Sequence, residues 1–317
     1  MKKICLSLAV LSMLFSCQED EKANQSEARI TKRNCVSYEV LERQLQENPE
    51  LAIKMNQIES FTENAIANGR LVNGKIVIPV VVNVLYKTAA ENISLAQIQS
   101  QIDVLNADFN AQNADYNQVP TLFSGVKANV GISFELDQVI RKSTTKTSWG
   151  TRDAMKKAKQ GGIDPTSPST KLNLWVCTIG GGILGYAQFP GGSAATDGVV
   201  IDSRYFGVYS NSSPSYPYNL GRTATHEVGH WMNLRHIWGD TTCGNDFVAD
   251  TPLHNTANYG VPTYPHYSTC SGTPVEMTMN YMDYTDDRGM YMFTAGQKAR
   301  MDAIFLSGGP RFSFAQP

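Results

Sequence analysis

Eleven consecutive residues, His226-Glu227-Val228-Gly229-His230-Trp231-Met232-Asn233-Leu234-Arg235-His236, constrain this 317-residue chain more than any other stretch, because they hold three of its five histidines. On an α-helix, residues four apart lie about 40° apart around the axis, so His226 and His230 present two imidazoles to one point. Glu227 lies beside that point and can act as a base on a metal-bound water. His236 reaches the same point only if the helix stops and the chain turns back near Asn233, a residue that tolerates the left-handed conformation. The spacing therefore predicts a zinc site made by His226, His230 and His236, with water in the fourth position. A helix with satisfied structural histidines is the competing reading. It explains one His on an apolar face, but not HExxH together with a third His at this distance.

The rest of the chain sets the context. Its length suits one large catalytic domain plus a smaller N-terminal segment. At 42% hydrophobic and 18% charged residues the composition is that of a soluble globular protein, and a net charge of −2 argues against nucleic acid as a main partner. No stretch after the first twenty residues is long and apolar enough to span a membrane. Lys2 and Lys3 precede an apolar run over residues 4–15, which reads as a signal sequence. Leu14-Phe15-Ser16-Cys17 resembles the bacterial lipobox, which makes Cys17 the lipidated first residue of the mature protein and its membrane anchor. Ordinary secretion with cleavage nearby is the alternative. The acidic Gln18-Glu19-Asp20-Glu21 resembles a surface-export tag of some bacterial lipoproteins. Both readings place the folded part outside the cytoplasm, where disulfides form. Cys5 leaves with the signal and Cys17 is taken by lipid, so Cys35, Cys177, Cys243 and Cys270 remain. Cys243 and Cys270 bracket a Gly/Pro/Tyr/Thr-rich loop with little periodicity and are the expected disulfide. Cys177, in an apolar run, reads as a buried free thiol.

Residues 1–17 are thus a signal peptide, 18–72 a tether and helical pro-segment, and 73–317 the catalytic domain. In the second of these, residues 18 to about 33 are polar. Ser37 is placed to cap a short helix with Val40, Leu41 and Leu45 on one face, and Asn48-Pro49 to start another that ends at Asn68-Gly69. Two small helices cannot bury a core alone, so they must pack on the catalytic domain, with Arg70 in the joint after them. Residues 76–85 read as a buried central strand. Ser94 with Gln97 forms a capping box for a helix carrying Ile98, Ile102, Leu105 and Phe109. Strands are expected at 132–139, 172–178 and 199–202, a short basic helix at 151–160, and an apolar segment with glycines for close backbone approach at 183–189. Gly180-Gly181-Gly182 lacks the Lys-Ser/Thr of a phosphate loop. Beyond His236 periodicity nearly vanishes until Thr294 and Gln297 make a second capping box. The fold class is α/β (α+β): a first lobe with a twisted mixed sheet and two main helices including the zinc helix, then an irregular lobe ending in a helix, with the site between them.

HExxHxxxxxH followed by a Met turn resembles the metzincin clan of zinc endopeptidases. Asn280-Tyr281-Met282-Asp283-Tyr284, Asp250-Thr251-Pro252, and Gly185-Tyr186-Ala187 followed by Phe189-Pro190 resemble its pappalysin, or cytophagalysin-like, family. The resemblance covers most of residues 75–306 and, with the lipobox, extends to the Bacteroidetes zinc-metalloproteinase lipoproteins. It implies that His226, His230 and His236 are the zinc ligands, that Glu227 is the general base and acid, and that Met282 supports the metal from below. Tyr284 is then the residue that hydrogen-bonds the carbonyl oxygen or tetrahedral intermediate. Residues 183–189 match the upper-rim strand that pairs with an extended substrate. Asp287 matches the acid that selects Arg or Lys after the scissile bond, a solvated turn Asp being the alternative. Cys35 matches a pro-segment cysteine whose thiolate fills the open zinc position, pairing with Cys177 being the alternative. Asp246, Asp250 and Thr251 offer oxygen ligands suited to calcium. Two departures stand out: Asn233 replaces the family's usual Gly, and Gly289 stands where some relatives have a disulfide Cys.

The expectation is a secreted or lipid-anchored zinc endopeptidase of the outer membrane or cell surface, made latent, monomeric, and acting on proteins or peptides. Its rival is a non-catalytic surface lipoprotein that binds protein or glycan through a decayed protease fold. The intact set of three His and one Glu argues against decay. Zinc amidases and deaminases use other ligand orders.

Overall fold

The structure, a computed structural model, describes residues 32–69, 75–209 and 217–315. Cys17, the signal and most of the tether, and Arg70 in the joint lie outside the described residues.

The N-terminal segment forms α1 (Ser37–Glu47) and α2 (Pro49–Ala67), the second started by Asn48, whose side chain accepts from the Glu50 amide. Ser37 does not cap α1 as expected. Val36 stands at the cap position, and the Ser37 hydroxyl is turned toward the interior of the molecule. Leu41 and Leu51 pack with Phe189, and Ala65 with Ala303 and Leu306, so the two helices borrow the larger domain's core.

Strand β1 (Ile76–Tyr86) is buried along most of its length. The capping Ser94 starts α3 (Leu95–Phe109), and short β2 (Lys127–Ala128) follows before β3 (Ile132–Ser143). The expected strand over 132–139 thus runs four residues further, its polar outer half held by parallel pairing to β1 as far as Tyr86↔Ser143. Next come β4 (Leu172–Cys177), β5 (Gly185–Ala187) and β6 (Val199–Asp202). The sheet order is β3-β1-β4-β6-β5, parallel except for β5, which runs antiparallel to β6 and forms one edge. An edge strand leaves one row of backbone N–H and C=O groups free for another chain.

The helix expected at 151–160 is replaced by two 3₁₀ turns, Ala154–Lys156 and Ala158–Gln160. Asp153 enters them in the left-handed conformation (φ 59°), and Lys156 folds back under the sheet to an ion pair with Asp153 at 3.0 Å. Burying that lysine beside its carboxylate outweighs the local helical preference of the stretch.

Helix α4 (Arg222–Trp231) follows the sheet. The second lobe is irregular, closed by the Cys243–Cys270 disulfide, and ends with β7 (Phe293–Thr294), paired to β2, and α5 (Ala295–Ala303), whose capping box is complete. Cys177 and Cys35 are both buried free thiols.

Candidate active site

Every residue of α4 is buried. Gly221 enters it at φ 78°, and the helix ends where Asn233 turns left-handed at φ 73°. The Leu234 amide bonds back to the Gly229 carbonyl at 3.0 Å, a reversal that satisfies the last carbonyls and returns the chain toward the helix face. His236 is thereby brought to His226 and His230, as the spacing required. The His230 Nε2 lies 3.2 Å from Nε2 of His226 and 3.1 Å from Nε2 of His236.

The opposite ring nitrogens fix the tautomers. His226 Nδ1 faces the Tyr281 carbonyl at 2.6 Å and His230 Nδ1 the Leu234 carbonyl at 2.8 Å, while His236 Nδ1 pairs with the Asp240 carboxylate. Each Nδ1 therefore carries the proton, and three Nε2 lone pairs converge with no hydrogen between them, which is stable only around a cation. Burial, then the neighbouring imidazoles, push His226 and His230 well below the usual histidine range and keep them neutral. The Cys35 Sγ joins them: the four ligand atoms lie within 4.8 Å of one another, an N₃S donor set that suits tetrahedral zinc. Asp240 was legible in the sequence only as a loop acid; its part in orienting His236 depends on the turn that ends α4.

Met282 lies beneath the ligands. A Cβ at Gly229 would stand 2.5 Å from the Met282 Sδ, so the glycine between the first two histidines is there to admit the Met turn. The Asn280 side chain accepts from the Met282 amide at 2.9 Å and fixes the turn.

Glu227 faces the fourth position. Its Oε2 accepts from the Ser37 hydroxyl at 2.8 Å and the Cys35 thiol at 3.3 Å. Burial pushes this carboxyl up to about 7, with the Cys35 and Ser37 hydrogen bonds working against the rise. Gly185 of β5 comes so close that an added Cβ would meet the Glu227 Cγ at 3.0 Å and the Val200 carbonyl at 2.9 Å. That is the close backbone approach expected for residues 183–189, although the strand itself spans only Gly185–Ala187.

Residues 33–37 lie along this edge. The Leu184 amide donates to the Asn34 carbonyl at 3.0 Å, the Val36 amide to the Gly185 carbonyl at 3.5 Å, and the Ala187 amide to the Ser37 hydroxyl at 2.8 Å. The Tyr284 hydroxyl donates to the Cys35 carbonyl at 2.7 Å, and its ring packs against His236 and Trp238. Two residues upstream of Cys35, the Arg33 side chain fills a buried pocket. Its Nη2 lies 2.6 Å from the Asp287 Oδ1, its Nε reaches the Thr285 carbonyl and its Nη1 the Thr223 hydroxyl, both at 3.3 Å, and the guanidinium lies over the Tyr218 ring. The other Asp287 oxygen accepts from the Leu220 amide at 2.8 Å. Asp287 is thus a fully buried anion aimed at a cation, not a solvated turn residue. Nothing local in the sequence marks Arg33, Thr223 or Tyr218 as lining this pocket.

The acids expected to offer calcium ligands are engaged within the protein. Asp250 accepts from the Thr294 hydroxyl at 2.6 Å and the Gly296 amide at 2.8 Å, at the start of α5. Asp246 accepts from the Thr251 hydroxyl at 2.9 Å and the Val248 amide at 3.1 Å. The Thr251 hydroxyl also donates to the Val248 carbonyl at 2.9 Å.

A glutamate beside three converging imidazoles, a left-handed turn between the second and third ligand, a methionine below and a sheet edge above define a metzincin-type zinc endopeptidase. The family profile described as pregnancy-associated plasma protein-A matches residues 177–306, and one described as metallo-peptidase family M12B reprolysin-like matches residues 95–237. An extracellular metalloprotease of Verticillium alfalfae is 35% identical over 243 residues, covering 72% of this chain and 78% of its own. Among solved structures, Tannerella forsythia mature mirolysin in complex with a cleaved peptide is 42% identical with a TM-score of 0.73, covering 77% of this chain and 97% of its own. A Tannerella forsythia promirolysin mutant is 39% identical with a TM-score of 0.78, covering 89% and 97%. The chain belongs to the pappalysin-like metzincins: it is a zinc-dependent metalloendopeptidase with a metzincin fold, and it works outside the cytoplasm.

Proposed function

We propose that this endopeptidase is made as a latent precursor whose residues 32–69 close the active-site cleft, and that it is tethered to the outer membrane or cell surface by lipid on Cys17. The observation that carries the latency reading is the place of the Cys35 thiol, which completes a four-atom donor set with His226, His230 and His236. The solved pro-form relative adds support. It covers 89% of this chain and the mature form 77%, a difference about the length of residues 32–69.

Zinc held by the three histidines supplies a Lewis acid that lowers the pKa of water and polarises a carbonyl oxygen. The remaining chemistry belongs to the protein. Once residues 33–37 leave, the Leu184 amide, Gly185 carbonyl and Ala187 amide of the sheet edge are free to align an extended peptide. The Tyr284 hydroxyl donates to the scissile carbonyl oxygen as it does to that of Cys35, and stabilises the negative charge that develops there. Glu227, freed from Ser37 and Cys35, takes a proton from water and delivers it to the leaving nitrogen. Asp287 receives an Arg or Lys side chain following the scissile bond, as it receives Arg33.

The pocket also accounts for the safety of the lock. A substrate places its basic residue C-terminal to the cleaved bond, whereas Arg33 is N-terminal to Cys35. The pro-segment therefore crosses the cleft in the opposite sense and presents no bond in the cleavable orientation.

The test is a peptide library incubated with the Cys35→Ala protein, with and without chelator, and read by mass spectrometry. Cleavage before Arg or Lys, abolished by chelator and by Glu227→Ala while zinc content is retained, is expected. Cleavage that ignores the residue after the bond would sink the Asp287 assignment, and an inert Cys35→Ala chain would sink the latch.

A further inference from the structure

The N-terminal segment is held at two separate places. One is the cleft, through Arg33, Cys35 and Ser37. The other is α5. There Glu59 of α2 meets Arg300 in a two-pronged ion pair, Nη1 to Oε1 at 2.6 Å and Nη2 to Oε2 at 2.9 Å, with the Arg300 side chain only 1% exposed. Arg300 also donates to the Phe247 and Asn233 carbonyls, both at 3.3 Å, so Glu59 is the carboxylate paired directly with a guanidinium buried among backbone oxygens, with Asp246 interacting from the catalytic domain. Apolar contacts flank the pair. Phe61 packs beside Gly308, where an added Cβ would meet its ring at 3.3 Å, and Ala65 packs with Ala303 and Leu306. Towards the cleft, Leu51 joins Leu41 on Phe189, and a Cβ at Gly191 would stand 2.9 Å from the Ile58 Cδ1.

All of these segment residues precede residue 68. A cut in the joint after α2 severs the covalent link and none of these contacts. We propose that the α5 surface around Arg300, with Phe247, Ala303, Leu306 and Gly308, is a docking surface for the chain's own excised segment, residues 32–67, so that scission leaves a two-piece complex that is still closed. The inference rests on the latency reading above and adds to it a second anchor distinct from the zinc latch. The partner it fits is an amphipathic helix carrying a carboxylate beside an apolar Phe-and-Ala face. Two anchors on one segment hold each other near their sites, so each slows the release of the other. Departure of the helix would remove the carboxylate that pairs directly with Arg300, which is the costly way to break a buried pair. Cutting and activation are therefore separate events.

The experiment replaces residues 70–74 with the recognition site of a foreign protease, nicks the purified full chain, and follows gel filtration and peptide hydrolysis after dilution. The nicked wild-type pieces are expected to co-elute and to stay inactive until they part. Glu59→Lys lies in the excised piece and leaves the mature enzyme unchanged; it is expected to speed separation about a hundredfold. Glu59→Gln, which keeps the helix intact, should act in the same direction to a smaller degree. Glu50→Lys makes the same charge change at an exposed position of α2 and should behave as wild type. Pieces that part as soon as the joint is cut would overturn the proposal, as would Glu59 variants that separate no faster than Glu50→Lys. Co-elution reads the dock whatever the activity: a full chain active before nicking removes the latency reading alone.

Discussion

Replacing Arg33 with Ala tests how much of the closed state depends on the buried ion pair rather than on sulfur at the metal. The Arg33 and Asp287 side chains are each 1% exposed and 2.6 Å apart. Removing one partner of such a pair leaves an uncompensated buried charge and costs about 3–5 kcal/mol. Asp287 keeps the Leu220 amide at 2.8 Å, and water can enter the vacated pocket, so the lower figure is the appropriate one. About 3 kcal/mol is a factor of ~150 in the ratio of closed to open precursor. The assay is the initial rate of fluorogenic-peptide hydrolysis by intact precursor, with gels confirming that the chain is uncut. Arg33→Ala should raise that rate by two orders of magnitude, Arg33→Lys by much less, and Arg33→Ala with Cys35→Ala should approach full activity. An Arg33→Ala precursor as silent as wild type would refute the reasoning, because the latch alone would then hold the segment.

Other outcomes follow from the same geometry. Gly229→Ala drives a methyl toward the Met282 sulfur, 2.5 Å away, and should destabilise the protein by about 1–3 kcal/mol, read by urea titration of the zinc-loaded chain. Asp240→Ala removes the acceptor that orients His236 and should weaken zinc binding about 10–100-fold in a chelator competition. Asp108 is buried between the Thr225 and Tyr281 hydroxyls, and burial raises its carboxyl to about 6 from 3.8, with Arg222 working against the rise. A raised acid binds its proton more tightly in the folded state, so its contribution to stability is greatest below about pH 4 and falls as pH rises to about 6. Asp108→Asn should remove that decline from stability measured across pH 4 to 6, and an unchanged slope would contradict it.

The two anchors give the latent state a division of labour. The cleft anchor places sulfur, a carbonyl and a guanidinium where a substrate's groups would go, whereas the α5 anchor touches nothing catalytic. On the docking proposal, one cut in the joint would leave the cleft covered.

Features set by neighbours a few residues apart were legible along the chain. His226, His230 and Glu227 share a helix face by rotation alone, and Asn233 marks the reversal because few residues accept its left-handed backbone. Ser94 with Gln97 and Thr294 with Gln297 mark helix starts because both partners lie in one turn. The expectations that failed were also local ones, overruled from a distance. Ser37 was drawn from its cap to Glu227, 190 residues away. Residues 151–160 gave up a helix to bury Lys156. Folding alone brings Arg33 to Asp287 across 254 residues, Tyr284 to Cys35 across 249, and Glu59 to Arg300 across 241. Charges and hydroxyls pair by distance in space, and no periodicity along a chain records which two the fold brings together.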